Sequence, residues 1–250
     1  MLQDCLHEGV ELPTLHPGVT LLDIDSSLGV EPLCAVVLDH LIGDSGRAFW
    51  VDAGGHVRTR TLHRLAPHPR YLDRITAARG FTAYQHASLL DRLPRVVSDA
   101  AVDRTPPALV VVPAIDRLYR EDDIPREQSK DLLVRRLATL AGIARQRDIP
   151  VVLTRSREDD LSAPVEAAAH ETLSCTATTF GPRFTDQEGT DETLVYHVGD
   201  GWMQTTLAFW REILEHRAQV AGAPVDDGEQ TISVDEPTAR VSSPVTPEGW

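Results

Sequence analysis

Ala108-Leu-Val-Val-Val112 is an uninterrupted apolar run dominated by β-branched valine. A strand with one wet face alternates apolar and polar residues. One that is apolar at every position belongs at the centre of a parallel sheet covered on both faces. On its C-terminal side, Arg126–Arg147 carries Leu132, Leu133, Leu137, Leu140 and Ile143 at helical spacing. Ile149-Pro-Val-Val-Leu-Thr154 is then a second buried strand. On its N-terminal side, Ile75–Phe81 contains a strand and a helix runs from about Tyr84 to Val97. Further back, Arg47–Val51 is a strand, and Leu33, Val36, Val37 and Leu41 define a helix from about Pro32 to Ile42, ended by Gly43-Asp-Ser-Gly46. Proline suits the first helical turn, where its missing N–H costs nothing. The first strand is Gly18-Val-Thr-Leu-Leu-Asp-Ile-Asp25, joined to that helix by the turn Ser26-Ser-Leu-Gly29, and residues 53–71 read as a loop or short helical region. Strands alternating with helices predict an α/β fold of parallel βαβ units.

Beyond Thr154 the pattern changes. Glu171–Phe180 and Leu194–Val198 read as strands, and Gly199-Asp-Gly turns into Trp202–Leu207. The last two are expected to form a hairpin, so antiparallel strands should close a mixed sheet. Trp202, Phe209 and Trp210 are expected to cap the core near it. Residues 1–17 read as an N-terminal arm, 18–215 as one core domain, and 221–250, rich in Pro, Asp, Glu and Ser without period, as a disordered acidic tail.

The charge balance is lopsided. There are 38 acidic against 24 basic residues, a net charge of -14, and Lys130 is the only lysine. Acidic surplus, scarce lysine and 5% aromatics fit a protein kept soluble in concentrated salt, as in a halophilic archaeon. Arginine- and alanine-favouring codons of a GC-rich genome are the other explanation. Apolar runs fall far short of the roughly 20 residues of a membrane span. No signal peptide is read at the N-terminus, so the expected location is the cytoplasm. Cys5, Cys34 and Cys175 are far apart, so neither a zinc site nor a disulfide is expected, and Cys34 reads as a small buried apolar residue. The ten histidines include no H-E-x-x-H, and no metal is expected. No G-x-S-x-G is present either.

This order of elements resembles the RecA/RadA recombinase ATPase core over residues 18–210. Gly18–Asp25 with its turn and helix stands where that family has its first strand and phosphate loop, and Phe49-Trp-Val-Asp-Ala-Gly54 resembles its second strand and the acidic positions after it. Leu72–His86 resembles an archaeal RadA segment running from helix through strand to helix start. Ala108–Asp116 and Val151–Arg155 stand where the Walker B and sensor-like strands would fall. The resemblance implies a RecA-like, largely parallel twisted sheet flanked by helices.

The departures bear on function. A phosphate loop needs G-x-x-x-x-G-K-[ST], whose backbone N–H groups, lysine and hydroxyl meet polyphosphate and Mg²⁺. The equivalents here, Ser26, Ser27, Gly29 and Glu31, include no lysine, and Asp23, Asp25 and Glu31 turn like charge toward a phosphate. Two unit charges 4 Å apart repel by about 4 kcal/mol at an effective dielectric of about 20. After the second strand, Asp52 is followed by Gly54 where the family's catalytic glutamate is expected, and Pro113 stands at the Walker B aspartate, with Asp116 three residues on. The resemblance therefore implies a degenerate, nonhydrolysing paralogue without a cofactor. Its expected role is accessory or regulatory in DNA recombination or repair, through a protein partner such as a recombinase or repair ATPase.

Two other readings stand beside it. The turn at Ser26–Gly29 could serve an enzyme with another anionic ligand and Asp116 as its acid, or the protein could be a scaffold with no DNA role. The one sizeable basic cluster, His56, Arg58, Arg60, His63, Arg64, His68 and Arg70, is the candidate contact for a partner or nucleic acid. Its bland reading is a solvated face whose arginines pair with neighbouring carboxylates. Arg155 and Arg157 fall where recombinases carry DNA-contacting loops, but Glu158-Asp-Asp160 follows at once, so DNA binding is expected to be weak.

Overall fold

The apolar runs become strands, and the central ones are buried on both faces as their composition requires. A computed structural model describes residues 12–102, 106–121, 124–178, 181–186, 192–193 and 206–225. Six strands run in parallel: β1 (Gly18–Ile24), β2 (Arg47–Asp52), β3 (Ile75–Arg79), β4 (Pro107–Val112), β5 (Pro150–Leu153) and β6 (Glu171–Thr178). β7 (Gly181–Asp186) and β8 (Glu192–Thr193) add antiparallel neighbours at one edge. The sheet order is β3-β2-β4-β5-β1-β6-β7-β8. The fold is thus α/β with a largely parallel sheet flanked by helices, consistent with a RecA-like arrangement.

Alternation along each strand sorts the core into two layers. Trp50, Leu109, Val111 and Val152 point to the layer holding α1 (Glu31–Gly43), α2 (Thr59–Leu65) and α6 (Thr206–Val220). Phe49, Val51, Val110, Val112, Val151 and Leu153 point to the layer holding α3 (Ala83–Ala100), α4 (Arg126–Arg147) and α5 (Ala163–Ala168). α1 is buried continuously from Pro32 to Asp39 because it lies between the sheet, α2 and α6. A helix that is apolar nearly all round demands such a place. Its one buried carboxylate, Asp39, is met by Arg217 of α6 at 2.8 and 3.1 Å. α4 stops at Asp148, whose left-handed conformation (φ 55) a short polar side chain tolerates.

The C-terminal hairpin is a correction. Leu194–Val198, Gly199-Asp-Gly and Trp202 lie outside the described residues, but Thr206 and Leu207, expected in a strand, open α6. β6 takes β7 as its antiparallel neighbour. Trp210, Ile213, Leu214 and Ala218 are buried at helical spacing, and that period decides the element. Trp210 does cap the core, edge-on to Phe184 with ring centroids 5.9 Å apart, but from a helix. The strand at Ile75 ends at Arg79, and the loop after β2 resolves into α2 and a 3-10 turn over Pro69–Arg74. In the arm, Leu12 and Leu15 are buried in the α1 layer. Residues 1–11, with Cys5, and 226–250 of the tail lie outside the described residues, and α6 continues past position 215 to Val220. Among the described residues no helix is long and apolar enough to cross a membrane.

Candidate functional site

In an open α/β sheet, ligands bind beyond the carboxyl ends of the strands where successive connections leave in opposite directions. Here that place lies between β1, which leads through α1 toward β2, and β5, which leads through α5 toward β6 on the other side. Leu21 and Leu153 are the last paired residues of the two strands. Two positions on, Asp23 and Arg155 meet across the crevice. Arg155 Nε lies 2.9 Å from Asp23 Oδ1 and Nη2 lies 2.5 Å from Oδ2. Arg155 also reaches Glu166 of α5 at 3.1 Å and Glu158 at 3.3 Å, and its side chain is only 8% exposed. Asp23 is therefore not a free negative charge facing a ligand: the crevice is closed by the chain's own bidentate ion pair. The same contacts remove Arg155 from any DNA-facing surface.

The turn after β1 is equally self-occupied. Ser26–Leu28 is a single 3-10 turn capped by Asp25, which accepts from Ser27 N at 2.9 Å and Ser27 Oγ at 2.8 Å. Those hydrogen bonds hold the Asp25 carboxyl below its ordinary range. Ser26, Ser27 and Gly29 are exposed, and Gly29 takes a positive φ of 64 that favours glycine. Glu31 folds back over it, since a Cβ added at Gly29 would stand 2.8 Å from Glu31 Oε2. α1 begins at Val30 with no side-chain cap, so its N-terminus attracts anions. The anion nearest to it is already a carboxylate of the same chain.

The positions read in the sequence as degenerate acidic ones, Asp52, Gly54, Pro113 and Asp116, are held within the chain. Asp52, fully buried, accepts from Arg79 Nε at 2.6 Å, His56 N at 2.8 Å and Gly55 N at 3.0 Å. Burial alone would raise its pKa, but the His56 ring and N–H and the Arg79 guanidinium together hold it well below the carboxylate range. At Gly54 a side chain would meet the Arg117 side chain, which lies over it. Pro113 is buried, and the following turn is pinned by Ala114 N donating to Thr154 Oγ1 at 2.7 Å, with Ala114 strained at φ 44. Asp116, fully buried, spends one oxygen on Ser156 N (2.7 Å) and the other on Arg120 (2.7 Å to Nε). Arg120 in turn grips Asp159 at 2.6 and 2.9 Å, which together with the Ser162 N–H and Arg157 overcomes burial and depresses the Asp159 pKa. Asp116 ties the end of β4 to the loop after β5, with both of its oxygens engaged and its side chain buried.

No protein-family model matches this chain, and no curated protein matches it. Function therefore rests on the site. Among the described residues, no group of three or more His, Cys, Asp or Glu side chains is placed to hold a metal ion. Cys34 and Cys175 are buried thiols, each pushed up to about 12; burial is the main cause, reinforced by Glu31 and Asp25 respectively, while Arg58 opposes it at Cys34. Neither is a nucleophile at neutral pH.

The basic cluster is a surface of its own. Leu62 and Leu65 anchor α2 in the core, leaving Arg60, His63 and Arg64 exposed together on its outer side, with Arg58 at its N-cap. Arg70 follows, stacked 5.3 Å from the Tyr71 ring centre. None of Arg58, Arg60, Arg64 and Arg70 makes an ion pair with a described residue. Sequence reading named the carboxylates Asp23, Asp52 and Asp116 but missed their partners Arg155, Arg79 and Arg120. Arg120 was within reach, four residues beyond Asp116. Arg79 becomes visible only once β2 and β3 pair, setting Asp52 opposite it.

Proposed function

We propose that this protein is a noncatalytic RecA/RadA-like paralogue that acts through contacts with a protein partner, an active recombinase or another repair ATPase, as an accessory or regulator. The observation that carries the reading is the Asp23–Arg155 pair across the β1/β5 crevice. A nucleotide's phosphates would have to break it and then confront Glu31. The Asp23 side chain is 27% exposed and that of Arg155 8%, so a phosphate would compete with Asp23 for the guanidinium. Arg117 over Gly54 and the committed oxygens of Asp116 support the same reading against an enzyme with a divergent anion site. Among the described residues, the basic face of α2 is an outward-facing cluster without ion pairs, which suits an acidic partner surface. The test is ATP turnover by the purified protein together with mass-spectrometric identification of what copurifies from its own cells. The reading expects no turnover and a recombinase or repair ATPase in stoichiometric amount. Turnover abolished by Asp116→Ala would overturn it.

A further inference from the structure

We infer that the acidic segment 226–236 of this same chain docks on the basic face formed by Arg58, Arg60, Arg64 and Arg70. The inference stands on where the described chain ends and on charge, and it does not depend on the identity of any partner. α6 packs against both α1 and α2, and Arg217 locks it to Asp39. Past Val220 the chain turns at Gly222, Ala223 packs against the core, and the Pro224 carbonyl lies 3.5 Å from the Tyr71 hydroxyl. Tyr71 is the residue whose ring carries the Arg70 guanidinium. The chain is thus delivered beside Tyr71, the residue next to Arg70, two residues before its first acids. Asp226, Asp227, Glu229, Asp235 and Glu236 follow, with no Lys, Arg or His among positions 226–236.

Reach is ample. An extended chain covers about 3.3–3.6 Å per residue, so Asp226 and Asp227 lie within about 10 Å of Pro224. The seven residues of α2 rise only about 10 Å in all. The four arginines have no carboxylate partner among the described residues, although the chain as a whole carries a net charge of -14. A tethered acidic segment meets them at an effective concentration in the millimolar range, which favours docking in cis over capture of a separate acidic peptide.

The single natural lysine makes a direct test possible. Arg60→Lys and Arg64→Lys, combined in the full chain, keep the charge and place amines on exposed positions. Arg58 is left alone because it is the N-cap of α2. Zero-length carbodiimide coupling at about 0.1 M salt, followed by peptide mapping, should join position 60 or 64 to Asp226, Asp227 or Glu229 within the monomer. Raising salt to about 1 M, where the Debye length falls to about 3 Å, should remove these links. Links from 60 and 64 only to carboxylates of the folded core, or none at all, would overturn the inference. So would links to the acidic segment confined to covalent dimers, since the occupant would then be a second copy.

Discussion

His86 lies fully buried in the first turn of α3, with Nδ1 3.2 Å from the Tyr119 hydroxyl and Nε2 without a partner. Burial lowers its pKa to about 4, with Asp52 opposing. The folded state therefore holds His86 neutral where the unfolded chain, with an ordinary value of 6.5, binds a proton. More protons on the unfolded side means stability rises with pH, so it is lost as pH falls from about 6.5 toward 4. The loss attributable to this residue is about 3 kcal/mol over that window. Urea unfolding between pH 4 and 7 should show the slope, and His86→Gln should flatten it; an unchanged slope would mean that another group carries the dependence. The neighbouring Gly80 has a backbone reason to lack a side chain. A Cβ there would stand 2.8 Å from His86 N and Cα, so Gly80→Ala should destabilise by about 1–3 kcal/mol in the same assay.

At the scale of elements, α6 is the piece that reading the residues in order missed. The Gly199-Asp-Gly turn drew the eye to a hairpin, while the helical period of Trp210, Ile213, Leu214 and Ala218 was the stronger signal. α6 covers α1, and without it the apolar outer side of α1 would face water. Leu214, fully buried there, should cost about 2–5 kcal/mol on replacement by alanine, read as a fall in thermal midpoint. Arg217→Ala should cost more than an exposed pair would, because it strands the buried Asp39 carboxylate. If Asp39→Asn in the Arg217→Ala background recovers part of that loss, the cost belongs to the stranded charge.

For the whole molecule, the closed crevice predicts that calorimetric titration with ATP shows no micromolar binding, which would correspond to about -8 kcal/mol. Val30→Lys alone should restore neither binding nor hydrolysis, since Asp23–Arg155, Glu31 and Arg117 remain in place. Neutralising Arg58, Arg60 and Arg64 together should abolish partner capture. If that face instead meets duplex DNA, each lost phosphate contact should lower the log–log salt slope by about 0.9. The α/β class, the parallel centre and most element positions were legible in the residues themselves. Apolar periodicity is local, and valine runs such as Ala108–Val112 can satisfy themselves only between two helical layers. Asp23, Asp52 and Asp116 were legible too, as acids near the strand ends. What the residues in order could not reveal is what meets them. Asp23 and Arg155, Asp52 and Arg79, Gly54 and Arg117 are distant in sequence and meet only once strand order and register are set. An ion pair across a crevice is a product of that geometry, because charges screened within about 10 Å by salt interact only when the fold brings them to contact.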